Sequence, residues 1–572
     1  MKKARAVKQE QIINKNFRIE NMMFKSIYIK LFFFTVVSIL LLQLSVNAQD
    51  STKRKSIDIT SQFKPVLREA AKINFHASPS SPDTTKPKLT YDIPSQFLLM
   101  PYQPGELKPV ALQPDSVLQW NNDNYIKVGV GSVHLPYIKT AFSFGDGKKT
   151  FFNIFADEFI SKGKLAYQKN SLTDIKLTGT VKTENNLEWN GALNYKSDGY
   201  YLYGYQPDTL KFSKSQLQQN FQTFGGRLSL KNTVPTEFGL TYNPNVSVSV
   251  FSDNHSPQAS EANTVLNLPL QKSIGKTFAF DLGFTANLTN YRFGSASINN
   301  NIFYLSPALL FKTPNVNVHA ELTPSWDNKT FHLLPNFTAD INPFDDKRFT
   351  FQLGWISYYD KGSYQRYASI NPWLAQPDSL LNTRVQERFA GFKGSITDHL
   401  TYSAKVGFNQ YWNMPLFVND YTNNGKDFLI RYEPSMQALQ LHGEIAYTVG
   451  EQFSISAGLN LNQYKLQKEY RAWGLLPLEF NSTLRWQILK DLWFKSNLWA
   501  WDGAQYIGSN GQAYKNNPAF DLNAGVEFRI TRQLNLWLQM NNIFNDKYQR
   551  WNQYQSYGFN ILGGIVFSFS DK

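Results

Sequence analysis

Three charged residues near the C-terminal end have the types and spacing that could serve a solute pathway. Asp521, Glu527 and Arg529 occupy odd positions of a segment whose even positions, 520–530, are all apolar. Neighbouring residues of a strand point to opposite faces, so the three charges share one face. Asn560 lies on the polar face of the last segment. We expect these four side chains to line an aqueous interior, along a pathway or against a plugging segment. Pairing with neighbours or contact with water is the plainer interpretation.

Histidine and serine residues give little sign of catalysis or metal binding. The seven histidines form no i,i+4 pair and no alternate-residue pair, and the absence of Cys excludes thiolate ligands and disulfides. Ser435 and His442 lie on or near one predicted strand, but any long chain offers such a coincidence. The sequence therefore predicts no catalytic residue, no metal site, no cofactor and no enzymatic activity.

The segment Tyr557–Ser570 shows which kind of element carries these residues. Its odd positions are aromatic or β-branched apart from Gly563, and its even positions are small or polar apart from Leu562 and Val566. A period of two with this contrast predicts a strand. Similar segments recur from Tyr125 onward without a convincing amphipathic helix. An arginine facing lipid at the bilayer midplane costs about 2–4 kcal/mol, which favours an inward position for the charged face.

The connections between these segments alternate in length. Ten short turns fall at 145–149, 183–184, 232–235, 272–276, 313–314, 342–346, 397–398, 450–451, 490 and 531–532. Mostly longer polar connections separate them, such as 197–215, 360–386, 413–427 and 502–517. Short periplasmic turns and long outer loops are typical of transmembrane β-barrels.

Ten turns join twenty strands, and one further strand at each end gives about 22. The sequence thus predicts an all-β protein, a transmembrane antiparallel β-barrel over residues 124–572, with both barrel ends of the chain on the periplasmic side. Strands of about 9–11 residues would suit a tilted bilayer crossing. A secreted protein made of several β-sandwiches would also have strands of alternating apolar and polar residues. That fold does not account for the regular alternation of short and long connections.

The N-terminal residues predict export followed by an extended arm. Phe32–Leu42 is a short apolar run preceded by Lys25 and Lys30, and Val46–Ala48 is a small-residue cleavage pattern. We interpret residues 1–48 as a signal peptide, whose true start could be at 22 or 23. Residues 49–123 are rich in proline and read as an extended periplasmic or lumenal arm. The arm is a candidate partial plug or partner-binding segment, with a disordered periplasmic tether as the alternative.

The net charge gives little support for nucleic-acid binding. The chain carries +14, of which the leader contributes six (eight Lys/Arg minus two Asp/Glu). The remaining 14 − 6 = +8 is spread over more than 500 residues, with no basic cluster that has aromatic residues interleaved. We therefore expect no nucleic-acid partner. The expected partners are outer-membrane lipid and other outer-membrane or periplasmic proteins.

The C-terminal residues resemble a known family. Met540–Tyr548 (MNNIFNDKY) is similar to the N-[LI]-F-[ND]-x-x-Y pattern near the end of TonB-dependent receptor barrels, and a glycine- and aromatic-rich final strand follows it. The abundance of Asn, Tyr and Phe resembles outer-membrane proteins of Bacteroidetes-type bacteria. The resemblance covers the barrel and implies a location in the cell outer membrane. The family's folded plug of over 100 residues has no counterpart in the roughly 70 residues before Tyr125.

Two functions follow from this resemblance and from the strand pattern. The first is uptake or transport of a solute across the outer membrane by a barrel that lacks a full-length plug. The second is a structural or assembly subunit, in which the barrel anchors a larger outer-membrane complex without transporting anything. The sequence identifies no solute, because loops and lumen set specificity and neither carries a readable code.

Overall fold

The alternating segments form 22 antiparallel strands that close into one barrel. The computed structural model describes residues 123–344 and 348–570. The predicted signal peptide and all but the last residue of the predicted arm lie outside the described residues. The strands are β1 (Asp123–Gly131), β2 (His134–Phe144), β3 (Thr150–Lys162), β4 (Lys169–Lys182), β5 (Leu187–Tyr201), β6 (Gln218–Asn232), β7 (Asn245–Ser252), β8 (Ala259–Ile274), β9 (Phe278–Phe293), β10 (Ala296–Lys312), β11 (Val316–Asp327), β12 (Thr330–Ile341), β13 (Thr350–Asp360), β14 (Thr383–Ser395), β15 (Leu400–Asn419), β16 (Phe428–Val449), β17 (Phe453–Leu466), β18 (Leu478–Leu489), β19 (Leu492–Trp501), β20 (Ala519–Arg529), β21 (Leu534–Asn541) and β22 (Asn560–Ser570).

Eight short elements, namely five strands, two helices and a 3₁₀ turn, complete the secondary structure of the described residues. Leu240–Tyr242 pairs with β8 and is separated from β7 by Asn243 and Pro244, where proline cannot donate to the ladder. Two hairpins form in connections, Gln505–Ile507 with Ala513–Lys515 and Gln549–Trp551 with Tyr554–Gln555. The short helices are α1 (Lys214–Leu217) and α2 (Tyr364–Ile370), with a 3₁₀ turn at Tyr421–Asn423. Within the described residues, no helix is both long and apolar enough to cross a membrane.

Pairing of the first strand with the last closes the barrel. β1 and β22 pair over nine positions, from Asp123 with Ser570 to Gly131 with Leu562. The backbones approach closely here, because a Cβ atom added to Gly564 would lie 1.9 Å from the Val128 carbonyl oxygen. The Trp537 indole Nε1 donates to that same oxygen at 3.3 Å. Closure leaves no sheet edge unpaired, as a lipid environment requires.

The last strand shows the alternation of exposure that the sequence predicts. Ile561 and Ile565 are 38% and 40% exposed, whereas Leu562 and Val566 are 4% and 0% exposed. Exposed apolar side chains of this kind recur on strands all around the barrel. A band of outward apolar residues is the surface that such a barrel presents to lipid.

The two ends of the barrel have different connections. All ten predicted short turns lie at the end that also holds Asp123 and Ser570, which we name the turn end. Apart from 233–244 at the turn end, the longest connections lie at the opposite, loop end, where three connections are nevertheless only two residues long, at 132–133, 294–295 and 328–329. The predicted alternation of turns is therefore confirmed, while the loop end has both very short and long connections.

Some predicted boundaries are wrong, and they are wrong mainly at the loop end. The last strand begins at Asn560 instead of Tyr557, because the Tyr557 hydroxyl turns to donate to Asn170 and the Asn545 side chain accepts from the Phe559 N–H. β15 and β16 have 20 and 22 residues, about twice the predicted length, and β15 extends to Asn419, inside the predicted loop 413–427. Their upper parts pack against inward-folded loops, which extends the ladder beyond the length of a bilayer crossing.

Candidate functional site

The loop end is the part of the barrel where side chains from distant strands meet. The connection between β13 and β14, residues 361–382, contains α2 and is named the bridging loop. Tyr364, Tyr367 and Leu374 of this loop are buried in an apolar cluster with residues of β6, β7, β9, β15 and β16. Each fully buried side chain of this size contributes roughly 1.5–3 kcal/mol relative to leaving it in water. The loop is therefore packed as tightly as a protein core.

Glu261 of β8 holds the start of α2. Its carboxylate accepts from the Ser363 hydroxyl at 2.6 Å and from the backbone N–H groups of Tyr364 at 2.5 Å and Gln365 at 3.3 Å. These N–H groups lie in the first turn of the helix, where backbone donors lack partners within the helix. Glu261 is fully buried. A carboxylate on the barrel wall thus completes a helix that belongs to a loop.

Asp253, in the connection between β7 and β8, forms a second anchor. It accepts from the Tyr364 hydroxyl at 3.0 Å and from the Gln376 amide at 2.8 Å. Burial alone would raise the pKa of Asp253, but hydrogen bonds from His255, Ala259 and Gln376 lower it below the ordinary value. The same surroundings raise the pKa of Tyr364 well above its usual range, first through burial and then through the charge of Asp253. Asp253 is therefore charged and Tyr364 neutral near pH 7.

Lys361 and Asn382 fix the two ends of the bridging loop. The Lys361 ammonium donates to the carbonyl oxygens of Asn287 and Asn300. Burial lowers the pKa of Lys361 to about 8, against the opposing effect of the nearby carboxylates. The Asn382 amide donates to the Asn300 side chain at 2.6 Å and to Asp327 at 2.7 Å. Both ends of the loop are thus held against β9, β10 and β11.

The middle of the bridging loop contacts strands on the far side of the barrel. The Trp373 indole Nε1 donates to the Tyr201 carbonyl oxygen of β5 at 3.2 Å, and the Gln219 amide of β6 donates to the Leu374 carbonyl oxygen at 3.0 Å. β5 and β14 are nine strands apart (14 − 5) in a ring of 22. Two strands on directly opposite sides of this ring would be eleven strands apart. The loop therefore spans most of the opening.

The connection between β21 and β22 meets the bridging loop near its middle. Tyr554, from the hairpin 549–555, stacks on Trp373 with 3.8 Å between ring centroids. Trp551 of the same hairpin packs against Phe417 of β15 and Phe428 of β16. Two loops that start on different sides of the barrel are thereby joined through aromatic rings.

A second loop, residues 467–477 between β17 and β18, folds inward in a similar way. Glu433 of β16 is fully buried and accepts from the backbone N–H groups of Gln467 at 3.0 Å, Lys468 at 3.0 Å and Glu469 at 2.7 Å. Trp473 of this loop is also fully buried, with Tyr411 and Met436 in its apolar cluster. Glu433 and Glu261 are therefore alike, since each is a buried wall carboxylate that binds the backbone of an inward loop.

The four residues predicted to line the interior lie on the face opposite the exposed apolar side chains, with separate partners. Asp521 accepts from the Tyr548 hydroxyl at 2.7 Å, and Glu527 accepts from the Asn535 amide at 2.7 Å. Arg529 lies over the Trp493 ring at 4.7 Å and 3.6 Å from Asp491. Asn560 accepts from the Asn541 amide at 2.9 Å. Their role along a solute pathway stays a prediction.

Ser435 and His442 are not brought together as a catalytic pair. They lie seven positions apart on β16, and each has a different partner: the Ser435 hydroxyl accepts from the Gln410 amide, while His442 Nδ1 lies 2.7 Å from the Asn460 side-chain oxygen. Among residues 123–344 and 348–570, no three His, Asp or Glu side chains are arranged to hold a metal ion.

The loop anchors Glu261, Asp253 and Glu433 are absent from the sequence-based candidates. Each is an acidic residue at or near the loop end of a strand, which is a weak signal because exposed acids are common there. The partners of Glu261 lie more than 100 positions further along the chain. A sequence pattern of local spacing cannot reveal such a pair.

The fold is that of a 22-strand outer-membrane β-barrel, which places this chain in the outer membrane. The FrpB iron transporter from Neisseria meningitidis has a TM-score of 0.61 and 8% identity, covering 79% of this chain and 82% of the transporter. The ferripyoverdine receptor of the Pseudomonas aeruginosa outer membrane has a TM-score of 0.59 and 10% identity, covering 78% of this chain and 72% of the receptor.

The ferric enterobactin receptor PfeA of Pseudomonas aeruginosa is also similar in structure, with a TM-score of 0.59, 10% identity and coverage of 78% of this chain and 80% of the receptor. These neighbours are TonB-dependent receptors with 22-strand barrels. No protein-family model and no curated protein matches the sequence. At 8–10% identity the likeness shows the fold, and it assigns no binding residue.

Proposed function

We propose that this chain takes up a solute across the outer membrane. The observation that carries the proposal is the closed 22-strand barrel, whose size is typical of outer-membrane transporters with a blocked lumen. The structural neighbours are transporters and receptors, which supports transport at this general level. The buried polar and charged residues of the barrel wall are compatible with a wet pathway.

The test compares the compounds that cells remove from their medium with and without this protein. Mass spectrometry of the spent medium should show at least one solute whose depletion requires the protein and returns when the wild-type chain is supplied. Asp521→Asn, which removes a predicted interior charge, and Glu237→Gln, an exposed carboxyl at the turn end, form a matched pair. Unchanged depletion of every solute in the absence of the protein would contradict uptake.

The first solutes to use as probes are ferric siderophores. The neighbours named above are an iron transporter, a ferripyoverdine receptor and a ferric enterobactin receptor. Purified protein carries Trp residues in the loop end, so binding of ferric enterobactin or ferripyoverdine should quench its fluorescence in a saturable way. If neither quenches, a different class of solute is indicated, and the depletion experiment still decides whether uptake occurs.

A structural or assembly subunit is the second candidate function. The dense packing of the loop end favours it, because a tightly packed surface can present a fixed shape to a partner. A native pull-down from outer membranes tests this candidate. A protein that co-purifies in a constant ratio, together with no solute depletion, would establish the assembly function over uptake.

A further inference from the structure

We propose that the bridging loop, residues 361–382, is the barrier that closes the loop end of this barrel. The proposal concerns what blocks the pore, so it holds whether the barrel takes up a solute or anchors a complex. A 22-strand barrel without a blocked lumen would be a wide hole in the outer membrane. The bridging loop has the position, depth and attachment that a barrier needs.

The loop lies within the barrel rather than above it. The Gln365 side-chain oxygen is 3.1 Å from the Ser249 hydroxyl and 3.2 Å from the Asn263 amide. Ser249 lies three residues before the end of β7, and Asn263 lies four residues after the start of β8. At about 3.4 Å per residue, these contacts lie roughly 10–14 Å below the strand ends. The start of α2 is therefore inserted between the walls.

The loop also extends far enough across the opening to obstruct it. Its ends are held at β9, β10 and β11 through Lys361 and Asn382, and its middle reaches β5 and β6 through Trp373 and Leu374. On the remaining side, the Trp373–Tyr554 stack joins it to the connection between β21 and β22. A solute that enters from the loop end therefore meets an obstruction to which this segment contributes.

The attachments differ in their chemistry, which indicates how the barrier could open. On the β7–β8 side the loop is held by hydrogen bonds to the charged groups Glu261 and Asp253. On the β15–β16 side it is held by backbone bonds, with the Ala375 N–H donating to the Phe428 carbonyl oxygen at 2.9 Å and the Phe428 N–H donating to the Trp373 carbonyl oxygen at 3.0 Å. Removing the two carboxylates should release one side while the other stays attached.

The ends of the loop allow a clean deletion. Asp360 and Thr383 are paired across β13 and β14, so a two-residue Asn-Gly turn can replace residues 361–382 without separating the strands. A matched control replaces residues 502–518 with the same turn, because Trp501 and Ala519 are paired across β19 and β20. Both variants remove a loop-end connection, but only the first removes the proposed barrier.

The experiment measures the conductance of the full-length mature proteins in planar lipid bilayers. The 361–382 deletion should raise the mean conductance at least tenfold over the wild type, and the 502–518 deletion should change it less than twofold. Retention of heat-modifiable migration on SDS gels shows that each variant is folded. A folded 361–382 deletion that conducts no better than the wild type would overturn the proposal, because another segment must then close the pore.

A double substitution tests the role of the bridging loop as a barrier if the deletion variant does not fold. Asp253→Asn combined with Glu261→Gln keeps the size of both side chains and removes both charges. We expect frequent openings to a larger conductance level in this variant and none in Glu237→Gln at the turn end. A folded double variant with the gating of the wild type would also overturn the proposal.

Discussion

Buried carboxylates on the barrel wall hold the inward loops, and this is the clearest lesson at the scale of single residues. Glu261 accepts from two backbone N–H groups, and Glu433 from three, of a loop that approaches from another part of the chain. A hydrogen bond to a charged group contributes about 1.5–3 kcal/mol, and leaving a buried partner unsatisfied costs a similar amount. Single substitutions at these positions should therefore loosen a whole loop.

Glu433→Gln should loosen residues 467–477 while the barrel remains closed. The neutral amide keeps an acceptor oxygen but loses the charge that strengthens three backbone hydrogen bonds. Amide hydrogen exchange across 467–469 should become about tenfold faster, which corresponds to a loss of about 1.4 kcal/mol in the free energy of local opening. Glu444→Gln, on the same strand but exposed, is the control. Equal exchange rates in the two variants would show that Glu433 does not hold the loop.

Asp427 should make the connection between β15 and β16 sensitive to pH. Burial raises the pKa of Asp427 to about 6, despite opposing effects of Asn423 and Lys426. A carboxyl whose pKa is higher in the folded state binds its proton more tightly there, so the folded connection loses stability as pH rises from about 4 through 6. After correction for intrinsic rates, exchange of residues 420–427 should be faster at pH 7 than at pH 5.

Asp427→Asn provides the control for this pH effect. The amide cannot ionise, so the corrected exchange of residues 420–427 should no longer depend on pH in this range. A pH dependence that survives the substitution would assign the effect to another group.

At the scale of elements, the sequence predicts the strands and turns well and the loop structure poorly. Alternation locates strands because lipid on one face and a polar interior on the other force a period of two. The ten turns are predicted because their residues are short polar interruptions. Helix α2 was not predicted, since seven residues with the sequence YQRYASI are too few to show a helical period. Its stability comes from Glu261 and from burial of Tyr364 and Tyr367, which are long-range contacts.

The register of β22 can be tested with single cysteines, because the native chain has none. Ile561→Cys and Ile565→Cys should react with a lipid-soluble maleimide in membranes. Leu562→Cys and Val566→Cys should react much more slowly, because these positions are buried on the other face. The reverse ranking would mean that the strand is shifted by one residue, which turns every side chain to the opposite face.

Closure of the barrel depends on the pairing of β1 with β22, and one glycine tests it. Gly564→Val places a Cβ atom against the Val128 carbonyl oxygen, where the backbone leaves no space. Overpacking of this kind typically costs 1–3 kcal/mol. The temperature at which the barrel loses its folded migration on SDS gels should fall. Gly191→Val in β5, whose added Cβ meets nothing within 4 Å, is the control and should change it little.

At the scale of the whole molecule, the barrel architecture can be predicted from the sequence, but the segment that blocks its pore cannot. Strand number and the location of the turns can be predicted because they depend on periodic patterns between residues that are close in the sequence. The barrier at the loop end depends on contacts such as Trp373 with Tyr554, which are 181 positions apart (554 − 373). The sequence predicts residues 49–123 as a partial plug or a partner-binding arm, with a disordered tether as the alternative, and that role stays a prediction because residues 49–122 lie outside the described residues. The described contacts favour the bridging loop.

The distance between the bridging loop and the opposite wall tests the central claim most directly. Spin labels at Ser369→Cys, on α2, and Ser215→Cys, on α1 beside β6, occupy exposed positions in a chain without native Cys. Pulsed electron paramagnetic resonance in lipid nanodiscs should give one narrow distance distribution, because the loop is anchored on both sides of the barrel. A broad or bimodal distribution in the wild-type protein would contradict a loop that closes the pore.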